Sequence, residues 1–402
     1  MTTIATQSRR PGLALFANGF RPFFLFGALE AALMVALWVP WYLGFISLAS
    51  AFPPSAWHSH ELLFGYVPAI VAGFLLTAVP SWTGRPAITG WPLAGLFAIW
   101  LLGRLTIAVS IHLPPGVVAA VCLAFLLVLS TVTARQIVAA KNWRNLKILA
   151  GLGALTLAQA IFHYEIWRYG RSTYGDHLAI AATLVLILIV GGRIVPGFTT
   201  NWLRQNNPGA LPASFGRFDL AAAVTGGSAL IAWVASPAIP AADLPIAGLL
   251  LIAGVLHVIR LLRWRPERTL REPLVTVLHA GYAFVPLGFL LAALALWSGE
   301  RSTGTGAIHA WTVGAIGLMT LTVMTRATRG HTNYPLTAPL GTVAIYALII
   351  IAAATRIVAA LSPEHAFVLL GVAGLAWIGG YALFVALYGP MLLRHPRTSL
   401  SR

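Results

Sequence analysis

Residues 22–45 read PFFLFGALEAALMVALWVPWYLGF, a run whose single charge is Glu30. A hydrocarbon core of about 30 Å is crossed by roughly 20 helical residues, so this run is long enough to span a bilayer. It is too long for a signal-peptide core and no small-residue cleavage site follows, so it reads as a retained helix behind Arg9 and Arg10. Working outward, apolar runs of similar length recur near residues 60–82, 91–112, 115–138, 146–168, 176–200, 218–236, 244–263, 272–298, 304–326, 338–361 and 365–390. The expected fold is an all-α polytopic membrane protein of about 12 transmembrane helices, a single transmembrane domain over residues 1–402. Connections this short leave no room for a soluble domain, and no GxxxxGK loop is present for a nucleotide.

Composition agrees. With 58% hydrophobic and 9% charged residues, an assembly of soluble domains is excluded. Cys122 is the only cysteine, which rules out disulfides, CxxC redox pairs, thiolate zinc sites and CxxCH haem attachment, so any haem is held noncovalently.

The net charge of +16 could suggest nucleic acid, but the basic residues lie between the apolar runs. Summed over alternate connections, nineteen of the 26 fall on the side of the N-terminus, among them Arg9, Arg10, Arg397 and Arg402. Three, Arg168, Arg171 and Arg301, fall on the other side, and Arg21, Arg104, Arg193 and Arg356 lie in or near helices. That asymmetry places both termini in the cytoplasm and makes anionic lipid, not nucleic acid, the partner of the charge. On this orientation His58, His60, His112, His163, His177, His309 and His365 fall near the outer face, His257 and His279 lie deeper toward the inner face, and His331 is just past the cytoplasmic end of the tenth helix. A weak echo relates the second, sixth and tenth helices: His60, His177 and His309 each precede a threonine by 23 positions, Thr83, Thr200 and Thr332. It suggests three four-helix units.

Several groups carry possible chemistry. Trp57-His58-Ser59-His60-Glu61 sets two imidazoles and a carboxylate at the head of a helix. Imidazole suits copper, iron and zinc, and Glu61 could be a ligand, an orienting partner or a proton carrier. With His163, beside Glu165, and with His309, these residues could converge as a polyhistidine site; separate interfacial histidines are the alternative. His279 lies where an unpartnered polar group is costly, and His257 shares its depth, so either a bis-imidazole haem or a hydrogen bond between helices would account for them. Arg21, Arg193 and Arg326 sit near cytoplasmic helix ends, where they could pair with haem propionates or snorkel to lipid phosphate. Arg104, in mid-helix, needs an acidic partner such as Glu30.

These stretches carry a resemblance. Gly19-Phe20-Arg21-Pro22-Phe23-Phe24, Trp57-His58-Ser59-His60-Glu61, the run from Gly73 to Gly84, Gly191-Gly192-Arg193-Ile194-Val195-Pro196, Leu278-His279-Ala280-Gly281-Tyr282 and the run from His309 through Arg326 to Thr332 occur in the order seen in the NnrS family. The chain resembles those bacterial membrane proteins along nearly its whole length. It departs from them where Arg329 replaces a leucine and Asn333 a glycine.

The resemblance implies noncovalent haem b, copper and a role in nitric oxide metabolism, in nitrosative stress or denitrification, but assigns no histidine to either metal. The candidate ligands are His58, His60, His163, His279, His309 and His331, with His257, Arg21, Arg193 and Arg326 toward haem and Glu61 or Glu165 toward proton supply. Redox turnover would make the protein a nitric oxide oxidoreductase and would need an electron donor, for which the sequence offers no docking domain. A twelve-helix secondary transporter and a noncatalytic nitric oxide sensor or metal-trafficking protein are the alternatives.

Overall fold

A computed structural model describes residues 14–394; Arg9, Arg10, Arg397 and Arg402 of the charge count lie outside them. Twelve helices are long and apolar enough to cross a membrane: α1 (Phe20–Tyr42), α2 (Pro54–Thr83), α3 (Trp91–Ala108), α4 (Pro115–Ala139), α5 (Trp143–Tyr169), α6 (Tyr174–Asn206), α7 (Arg217–Ala238), α8 (Pro240–Arg268), α9 (Pro273–Ser298), α10 (Arg301–His331), α11 (Leu340–Leu361) and α12 (Pro363–Leu393). No strand occurs among the described residues. Lipid supplies no hydrogen bonds, so each apolar segment must satisfy its own backbone, and the helix does that within the segment.

The helices outrun the apolar runs where polar residues follow. Thus α6 continues past residue 200 to Asn206, and α10 past residue 326 to His331. Helical hydrogen bonds persist into the headgroup region after the need for apolar side chains has ended.

Two helices are interior. In the most apolar windows of α2 and α10, 72% and 67% of residues are buried, against 33% in α3, α4 and α7, which turn leucines to the lipid. Helices α2, α6 and α10 touch one another, and α1 packs along α12. The helices related by the histidine and threonine echo are therefore those that meet at the centre.

Both interior helices widen into π turns, at Glu61–Tyr66 in α2 and at Ala310–Gly317 in α10. Each begins one residue after a histidine, His60 or His309. Pro68 follows the first of them, and lacking an N–H it can close no turn onto the preceding carbonyls, which favours the wider turn. Further along, Asn333 has φ +61°, a left-handed conformation. That is the position where the family stretch has glycine, and asparagine tolerates this region better than most side chains.

Candidate metal centre

His60 sits where α2 enters its π turn, fully buried among Phe52, Phe64 and Phe162. Its Nδ1 lies 2.9 Å from Glu61 Oε1. The carboxylate accepts, so Nδ1 carries the proton and Nε2 holds a lone pair. That lone pair faces His163 Nε2 of α5 at 3.3 Å. Cys122 of α4 completes the group: one donor atom from each of His60, Cys122 and His163 lies within 4.8 Å of the others, and all three residues are buried. A metal about 2.0 Å from each imidazole nitrogen, with near-tetrahedral angles, holds those nitrogens about 3.3 Å apart, the separation observed. The donor set fits a soft or borderline metal; two imidazoles and a thiolate suit copper or zinc better than magnesium or calcium.

Charge around His60 is organised from three helices. Arg104 of α3 donates from Nη1 to Glu61 Oε1 at 2.8 Å and lies 3.5 Å from Glu30 Oε1 of α1. The expected Arg104–Glu30 pair is present, and Glu61 is the nearer partner. Gly65, in the π turn, makes room for it: a Cβ there would collide with Glu30 Oε1 and Arg104 Nη1. Trp100 of α3 then donates to the Gly65 carbonyl at 3.0 Å, tying α3 to the π turn.

His58 takes a different direction. Successive helical residues turn by about 100°, so His58 and His60 leave α2 on nearly opposite faces. His58 stacks on Trp38 of α1, with centroids 3.9 Å apart. It lines a cavity of about 410 Å³ that also takes in His309, Arg171, Arg356, Asp176 and Trp377. His309 donates from Nδ1 to the Thr305 carbonyl at 2.8 Å, which fixes the tautomer and leaves Nε2 with its lone pair. Of the two arrangements open to these histidines, one converged site or separate residues, neither is met in full: His60 lies with His163 in the core, and His58 and His309 line the cavity wall.

The other candidates are placed as follows. Glu165 accepts from Ser172 Oγ and from the backbone N–H groups of Thr173, Tyr174 and Gly175. It closes the α5–α6 turn and caps the start of α6, which occupies the lone pairs a proton carrier would use. His257 holds the Tyr282 hydroxyl at 2.9 Å through Nδ1, and a Cβ at Gly226 would lie 2.6 Å from its Nε2, so no space for iron exists on that side. His279 Nε2 meets Thr199 Oγ1 at 2.9 Å. Both rings tie helices together, and neither lines the cavity.

Arg21 donates from Nη1 to the carbonyls of Leu392 and Arg394, holding the end of α12. Arg326 lies over the Phe198 ring at 3.9 Å. Arg193 is exposed, as snorkelling requires. His331 is exposed with its ring against Phe20.

Sequence reasoning sets thiolate metal sites aside because a lone cysteine in an apolar run carries no spacing signal; the structure instead groups Cys122 with two imidazoles as a candidate donor set. Sequence reasoning also misses Arg356, whose signal is the one that marks Arg104: a cation within an apolar helix.

A family model described as NnrS protein matches residues 14–397. No curated protein matches the chain.

Proposed function

The chain belongs to the NnrS family, and from that premise we propose a multi-pass protein of the bacterial inner membrane that binds copper and noncovalent haem b and acts on nitric oxide. Copper is assigned to His60, Cys122 and His163. Haem is assigned to the outer cavity, with His309 and His58 toward the iron and Arg356 and Arg171 toward the propionates. Bound there, the two groups would supply nitric oxide binding and electron storage.

One observation carries the copper assignment: two imidazole nitrogens held face to face at 3.3 Å in a buried site that also contains the only thiol. Without a metal, one nitrogen must carry a proton for the other to accept, which presses a proton and two rings into a place where nothing else needs them. The surrounding charges complete the site. Glu61 on Nδ1 raises the basicity of the His60 ring and fixes its orientation, and Arg104 holds Glu61 in turn. A thiolate with two neutral imidazoles compensates a monovalent cation, so copper(I) gives a centre with no net charge, the cheapest kind to bury.

The cavity supports the haem assignment by its chemistry. His309 is held by Thr305 in the tautomer a ligand needs, His58 Nδ1 is buried without a hydrogen-bond partner, and Trp38 and Trp377 give flat walls. Guanidinium groups of Arg171 and Arg356 at the rim match carboxylates. Nitric oxide is small and uncharged, so it reaches such a site through lipid without an extramembrane domain.

Elemental analysis and an optical spectrum on one detergent-purified sample test the reading. Copper should fall in His163→Ala with the haem absorption kept, and the haem absorption should shift or vanish in His309→Ala with copper kept. A folded, colourless, metal-free preparation would overturn it and favour transport. Nitric oxide that binds without being consumed, at an electrode supplied with reductant, would reduce the role to sensing.

A further inference from the structure

Toward the middle of the membrane a second, smaller cavity of about 100 Å³ lies between α2, α6 and α10. Val71, Phe74, Ile187, Val190, Ile194 and Val323 line it, and all six are half-buried, so it is not sealed within the bundle. Two polar side chains reach its wall, and both have their protons turned back to their own helix. Thr183 Oγ1 donates to the Ala179 carbonyl at 2.8 Å, and Thr320 Oγ1 donates to the Ile316 carbonyl at 2.6 Å. A water there would find at most a hydroxyl lone pair to donate to, short of the several partners that hold a buried water, and apolar cavities of this kind stay dry and take up xenon or small hydrocarbons.

This cavity adjoins the outer one. Val67 lines both, and the partition between them is a hydrogen-bonded trio: Tyr66, on the outer wall, meets Thr320, on the inner wall, at 2.7 Å, and Tyr381 at 2.5 Å. Tyr66 is the last residue of the π turn that begins beside His60.

We infer that the inner cavity binds a small uncharged apolar molecule of diatomic size and that the Tyr66–Thr320 hydrogen bond is the latch through which it passes from the membrane interior to the outer cavity. A charged or hydrogen-bonding ligand is excluded by the lining, and an acyl chain is excluded from passage by the trio. The nitric oxide reading supplies only the natural occupant; the site and the latch stand on the geometry.

Xenon is the probe. The full-length protein in lipid nanodiscs should bind it between Phe74, Val190 and Val323, seen as density under xenon pressure or as a saturable xenon NMR shift. Filling the cavity by Val323→Phe, or by the milder Val190→Leu where the first fails to fold, should weaken xenon binding at least tenfold. Absence of xenon, density for a lipid or detergent chain in its place, or xenon binding indifferent to both substitutions would overturn the site. For passage, stopped-flow binding of nitric oxide to the metal-loaded protein should slow severalfold in the filled variants and quicken in Tyr66→Phe, with metal content unchanged. Rates unaltered in all three would overturn the latch. Wild-type protein that binds no nitric oxide would instead refute the functional reading, while the xenon result would still decide the site.

Discussion

Replacing Arg104 by methionine removes the only cation within 4 Å of two buried carboxylates among the ion pairs of the described residues. Glu61 loses a donor at 2.8 Å and Glu30 loses its partner at 3.5 Å, while both side chains stay buried. Breaking a buried pair from one side costs about 3–5 kcal/mol, because the remaining charge has neither water nor partner. At about 1.4 kcal/mol per tenfold, that is roughly two to three and a half powers of ten in the folding equilibrium. Replacing all three residues together, Arg104→Met with Glu30→Gln and Glu61→Gln, removes the stranded charges and should recover most of the loss, since a buried ion cluster adds little over neutral groups of the same shape. The His60 ring loses its carboxylate in the triple variant. Metal affinity should therefore stay about 10–100-fold down although stability returns. Reversible unfolding in bicelles measures the first quantity and competitive chelation the second. A single variant within about 1 kcal/mol of wild type, or a triple variant no better than the single, would refute the view that Arg104 is held there by charge.

Four further outcomes are expected. Cys122→Ser should lower metal affinity and abolish thiolate-to-metal absorption, with the haem spectrum unchanged; retention of that absorption would remove the thiol from the centre. Metal added to the apoprotein should release about one proton, the thiol's, since the neutral His163 ring frees its Nε2 by moving that proton to Nδ1, and a pH indicator in weak buffer would read this. Glu165→Gln should cost about 1–3 kcal/mol by stranding backbone donors at the start of α6, yet leave nitric oxide binding intact; loss of binding at full stability would restore it as a functional acid. Gly170→Ala, at φ +70°, should cost about 1 kcal/mol in thermal unfolding, since the left-handed turn after α5 disfavours a Cβ.

How much of this is legible without coordinates differs by layer. Twelve spans can be read because lipid imposes one requirement on every segment, and a run such as residues 22–45 meets it in only one way. The Arg104–Glu30 pair can be read because a cation in mid-bilayer must have a partner. The division of the histidines is half-legible: the 100° turn per residue already separates His58 from His60, but which face meets α5 and which meets α10 depends on how the helices pack, and the interrupted pitch at Glu61–Tyr66 shifts that face again. Cys122 is illegible because its neighbours in space, His60 and His163, are tens of residues away along the chain. Glu165 shows the opposite failure. It sits beside His163 in sequence and looks like part of the chemistry, yet its carboxylate turns to the next loop.

The three donors of the proposed metal centre are spread over α2, α4 and α5, so the set is incomplete until the fifth helix has entered the bilayer. Maturation would then be late: an ion delivered before α5 enters would meet at most His60 and Cys122, too few donors to hold it, and could be stripped away. Once α5 closes, the same ion would clasp segments 103 positions apart. Loading would double as a checkpoint on insertion, and chains that stall after α4 would stay empty and open to proteolysis.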